Sequence, residues 1–76
     1  MQGPGVEVKA EMTANVWQVR VAAGEQVEAD QELVVLESMK MEIPVWAPVA
    51  GTVAEVRVQP EQVVHEGDVL VVVTPA

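Results

Sequence analysis

The chain has 76 residues, half of them hydrophobic, which is enough for one small domain with a modest core and no more. Twelve acidic residues against four basic ones leave a formal net charge of −8, which repels nucleic acid and anionic lipid surfaces. There is no cysteine, hence no disulfide framework or thiolate metal site, and Val69-Leu70-Val71-Val72-Val73 is far too short to span a bilayer.

In chain order, residues 1–5 (Met1-Gln2-Gly3-Pro4-Gly5) are punctuated by Gly and Pro and read as a loose terminus ahead of a single domain over residues 6–76. No stretch fits a signal peptide, so the cytoplasm is the expected compartment. Val6-Glu7-Val8-Lys9-Ala10 alternates apolar and polar, as a half-buried strand does.

The body carries an internal repeat at an offset of 37 residues: Val16/Val53, Val19/Val56, Arg20/Arg57, Val21/Val58, Val27/Val64, Leu33/Leu70, Val34/Val71 and Val35/Val72 are identical pairs. The repeats run over about 10–36 and 47–73, joined by residues 37–46. Within each, Trp17, Val19 and Val21 alternate with Val16, Gln18 and Arg20, and Ala54, Val56 and Val58 with Val53, Glu55 and Arg57, the period of a strand. Turns follow at Ala23-Gly24-Glu25 and Pro60-Glu61-Gln62, then at Ala29-Asp30-Gln31 and Glu66-Gly67-Asp68. With no helical run and about four strands per repeat, the pattern predicts two copies of an antiparallel unit packed face to face about a pseudo-twofold axis. The copies diverge at their turns: Gly51 and Gly24 correspond to Ala14 and Glu61, which would be strained in turns that require positive φ.

Between the copies lies Glu37-Ser38-Met39-Lys40-Met41-Glu42-Ile43. Leu33-Val34-Val35-Leu36 enters it and Ile43-Pro44-Val45 leaves it, which predicts two strands joined by a short turn that carries Lys40, one of only two lysines. Pro44 offers no ladder donor and so suits an edge strand.

The run Glu37-Ser38-Met39-Lys40-Met41-Glu42 resembles the attachment motif of the biotinyl/lipoyl attachment domain family in its biotinyl form, and the resemblance extends from Ala10 to Val73. It is nearest to the small stand-alone attachment proteins and biotin carboxyl carrier domains. The resemblance implies an all-β fold, a flattened barrel or sandwich of two four-stranded antiparallel sheets with internal pseudo-twofold symmetry. It implies biotin in amide linkage to Lys40, with Met39 and Met41 shaping recognition; Glu37 and Glu42 beside them read as hairpin charges with a secondary recognition role. It further implies a non-catalytic, monomeric carrier whose partners are a biotin protein ligase, a biotin carboxylase and a carboxyltransferase acting on an acceptor such as an acyl-CoA. The family usually has Pro and Gly where this chain has Glu11 and Ala14, a departure that touches the local turn and not the lysine.

Each reading has a plainer competitor. Lys40 as an ordinary surface lysine would pair with Glu37 or Glu42. Met39 and Met41 as core fillers would point inward, which two residues flanking a turn cannot both do easily. His65, the sole histidine, reads as a solvated turn residue and not a base or metal ligand, and no nucleophile triad or phosphate-binding glycine loop is present. Trp17 and Trp46 read as core or edge cover. The rival carriers are a lipoyl domain, in which Asp-Lys-Ala usually replaces Met-Lys-Met, and an unmodified scaffold domain.

Overall fold

The structure is a computed structural model that describes residues 5–76. Residues 1–4 of the expected loose terminus lie outside the described residues; Gly5 precedes the first strand. Eight strands follow in order: β1 Val6–Lys9, β2 Ala14–Val19, β3 Gln26–Val27, β4 Glu32–Ser38, β5 Met41–Trp46, β6 Gly51–Val56, β7 Val63–Val64 and β8 Val69–Pro75. They form two four-stranded antiparallel sheets, β1-β8-β6-β3 and β5-β4-β2-β7.

The offset of 37 seen in the sequence governs the backbone. It carries β2 onto β6, β3 onto β7 and β4 onto β8 residue for residue, and β1 onto Ile43–Trp46 of β5. Hydrogen bonds repeat with it: the Gly24 N–H donates to the Val53 carbonyl at 2.8 Å and the Glu61 N–H to that of Val16 at 2.7 Å. Side-chain clamps repeat as well. Glu25 accepts from the Ala22 N–H at 3.2 Å as Gln62 does from Gln59 at 3.2 Å, and Gln31 accepts from Glu28 at 3.0 Å as Asp68 does from His65 at 2.8 Å.

The copies do not each build one sheet, as simple face-to-face packing predicts. Each sheet takes two strands from each copy: β1 and β3 join β6 and β8, while β5 and β7 join β2 and β4. The core is accordingly made of paired equivalents, among them Val16 and Val53, Leu33 and Leu70, Leu36 and Val73, and Val27 and Val64, all at most 4% exposed. Valine fits here because a branched Cβ packs well on a pleated surface.

The predicted alternation along β2 and β6 is broken by a bulge. Val16 pairs with Leu36 but Gln18 pairs with Val35, so Trp17 is the extra residue; Val53 and Glu55 bracket Ala54 likewise. The inserted residue shifts the parity, so Val16 and Val21 both face the core. Trp17 is turned outward to 42% exposure, and Trp46 ends edge strand β5 at 51%, so neither tryptophan covers the core.

Candidate functional site

The lysine turn is a two-residue hairpin loop. Ser38 pairs with Met41 at the end of the β4–β5 ladder, leaving Met39 and Lys40 as the loop. Their φ values are +52° and +65°, the left-handed pair that a type I′ turn demands. Asn-Gly or Asp-Gly usually fills such a turn, because a Cβ in this region costs roughly 1–2 kcal/mol per residue. A methionine and a lysine therefore occupy the turn against local preference. The turn twists with its strands, and a well-anchored ladder holds it: Leu36, 1% exposed, pairs with the partly buried Ile43 three rungs in.

That geometry decides the exposure. Lys40 is exposed, Met39 is 91% exposed and Met41 64%, so neither methionine fills the core. Among the described residues the ion pairs are Lys9–Glu7 at 3.7 Å, Arg20–Glu32 at 3.0 Å and Arg57–Glu55 at 2.7 Å. Lys40, the fourth basic residue, joins none of them, although Glu37 and Glu42 stand opposite each other one rung below Ser38 and Met41. The plain alternative, a lysine tied to a neighbouring glutamate, is not what the structure shows.

Arg57 makes the contrast. Its guanidinium donates to Glu55 Oε1 at 2.7 and 2.9 Å, and this hydrogen bonding, with the charge of Glu55, raises its pKa above the usual arginine value. His65 sits in the turn after β7, its backbone N–H held by Asp68 and its Nδ1 3.5 Å from Thr13 Oγ1. It lies apart from the hairpin loop in sequence and has no second histidine to work with.

The turn and its lysine are legible in the amino-acid sequence; the left-handed backbone of Met39 and Lys40 is not. The signal for it was present, since a two-residue gap between paired strands selects a primed turn whatever residues fill it.

A β-sandwich that holds an unpaired lysine amine at the tip of a hairpin defines a class of protein, the attachment domain, built to display that amine. The site fits an amide-linked acyl group: Nζ is engaged by no carboxylate, and the loop stands clear of the core. Comparison with known proteins agrees. The family described as "Biotin-requiring enzyme" (Biotin_lipoyl) matches residues 3–73. The chain is similar to a biotin/lipoyl attachment protein of Bacillus subtilis strain 168, 51% identical over 83% of this chain and 86% of that protein. It is similar to a biotinylated protein TB7.3 homolog of Mycobacterium leprae, 47% identical over 90% of this chain and 96% of the relative. It also superposes, with TM-score 0.90 and 36% identity, on 8% of a single-chain, multi-domain long-chain acyl-CoA carboxylase, with all of this chain covered.

The chain belongs to the biotin/lipoyl attachment family, whose members are non-catalytic carrier domains.

Proposed function

We propose that this domain is a biotin carboxyl carrier, with biotin in amide linkage to Lys40. The observation that carries the reading is the exposed, unpaired amine of Lys40 at the apex of a two-residue turn between two exposed methionines. The names of the relatives support it, biotin-named proteins among them.

In this reading the chain's own part is presentation. The turn delivers Nζ to a biotin protein ligase, where the nitrogen forms a bond to the activated carboxyl carbon, loses a proton and displaces the activating group. Met39 and Met41 offer the ligase and the later enzymes a soft apolar surface on either side of the amine. Glu37 and Glu42 frame the loop with negative charge as secondary recognition points. Bound biotin supplies carriage of a carboxyl group from a biotin carboxylase to a carboxyltransferase, and tethering lets each enzyme meet it at high effective concentration. The acceptor class is an acyl-CoA or another small carboxylatable substrate, and the setting is the cytoplasm.

The test is co-expression with a biotin ligase, followed by intact mass and avidin blotting of the chain and of Lys40→Arg. The expected result is one biotin on the parent and none on the variant, with both folded. Modification also removes one positive charge, so the formal net charge goes from −8 to −8 − 1 = −9, visible on ion exchange. A lipoate mass in place of biotin would make it a lipoyl carrier, and no adduct under competent conditions would make it an unmodified scaffold.

A further inference from the structure

The edge strands β1 and β5 belong to different sheets, and between them runs a groove of about 440 Å³. Its walls are related by the same offset as the fold: Glu7 corresponds to Pro44 and Lys9 to Trp46. The groove is amphipathic, with Met12, Ile43, Pro44 and Trp46 on its apolar part, Met12 and Trp46 being 41% and 51% exposed. Glu7 and Lys9 supply a carboxylate and an ammonium that form only a long, exposed pair at 3.7 Å.

We propose that this groove receives the ring system of the biotin carried on Lys40, parking it against the domain when neither enzyme holds it. The inference rests on the carrier reading above and adds a second, non-covalent site.

Three observations carry it. The first is continuity: β5 leaves the lysine turn at Met41 and runs directly into the groove, which its residues Ile43, Pro44 and Val45 line. The second is reach. A strand advances about 3.4 Å per residue, which puts Ile43 and Pro44 about 10 to 14 Å along β5 from Lys40. The eleven bonds from the lysine Cα to the ring, one of them the amide bond, span about 14 Å when extended, each bond of about 1.5 Å advancing the chain by somewhat less than its length. The ring therefore arrives at the near end of the groove and not past it.

The third is chemistry. Biotin's ureido group presents one carbonyl acceptor and two N–H donors, and its sulfur ring is apolar. Lys9 can donate to the carbonyl, Glu7 can accept from an N–H, and Met12, Ile43 and Pro44 suit the sulfur ring. Lipoate's dithiolane ring offers no N–H donor, so the polar half of the groove favours biotin. A tether supplies an effective concentration in the millimolar range, so weak affinity suffices to populate the parked state.

The test compares amide NMR spectra of the unmodified chain and of the chain shown by intact mass to be fully biotinylated. The expected result is shifts over residues 7–12 and 43–48 in addition to those of the turn, residues 38–42. Shifts confined to 38–42 in a fully biotinylated chain overturn the parking site and leave the carrier reading intact. A chain that takes no biotin from a competent ligase overturns the carrier reading itself, and the parking site with it. A second readout is the rate at which avidin captures the biotinylated chain. Pro44 lines the groove within the arm's reach and lies on edge strand β5, so Pro44→Ser retains the fold, and it should speed capture about two- to tenfold by releasing the parked fraction. An unchanged rate in a folded Pro44→Ser variant overturns the proposal.

Discussion

Glu37 and Glu42 face each other directly across the β4–β5 ladder, both exposed, with Lys40 two residues from one and three from the other yet paired to neither. Like charges at opposed positions destabilise a sheet, and here they sit beside two residues in left-handed conformation. The tip of the hairpin is thus locally unfavourable, and the buried rungs beneath it hold it in place.

Glu37→Gln should raise stability by about 0.5 kcal/mol, the scale of a cross-strand pair effect. Because the cause is repulsion between exposed charges, the gain should shrink in high salt. Urea unfolding at low and high ionic strength measures both, and a gain indifferent to salt would refute the electrostatic explanation.

Met39→Asn places a residue tolerant of positive φ in the first loop position. Stability should rise by about 1 kcal/mol, or roughly 4–8 °C in Tm for a domain of this size. Biotin transfer to Lys40 should slow by about tenfold, as expected for one lost apolar contact of about 1.5 kcal/mol. Thermal unfolding and timed intact-mass assays give the two numbers; an equally fast acceptor would remove Met39 from recognition.

Glu61 occupies the turn position that Gly24 fills in the other copy, with φ of +73° and +92°. Nothing lies within 4 Å of a Cβ built on Gly24, so the difference between the two is conformational and not steric. Glu61→Gly should stabilise and Gly24→Glu destabilise, each by about 1 kcal/mol. Denaturant midpoints that move in the same direction for both would contradict this.

Gly51 is needed for a different reason. Its φ is not left-handed, but a Cβ there would fall on the carbonyl oxygen of Thr74 in the neighbouring strand β8. Gly51→Ala should cost about 3 kcal/mol, at the upper end for overpacking, because backbone cannot yield as a side chain can. Chemical denaturation checks it, and a loss under about 1 kcal/mol would show that β8 moves freely.

How far the sequence carries depends on the range of the interaction that decides each feature. The repeat and the apolar runs placed β2, β4, β6 and β8, because strand period and burial act locally. The lysine turn was legible since Leu36 and Ile43 bracket it. Strand exchange between the copies was not, because the pattern shows which face of a strand is buried and not which neighbour buries it. The bulges at Trp17 and Ala54 were hidden because Val19 and Val21 keep a clean alternation with Trp17, while the pairing of Val16 with Leu36 belongs to a strand twenty residues away. Ala14, expected in a strained turn, instead begins β2, so the correspondence with Gly51 reflects a close approach and not a turn. The expectation for Glu61 was met, as its positive φ shows.

The crossing of strands between the two copies has one more consequence. A polypeptide carrying only the first copy would hold β2 and β4 with no β5 or β7 to complete their sheet, and β1 and β3 with nothing between them. Its missing neighbours exist only in another molecule of the same kind. The 76-residue chain is in this sense the covalently fused form of a swapped homodimer, and severing it between the halves should yield fragments that recover order only by pairing.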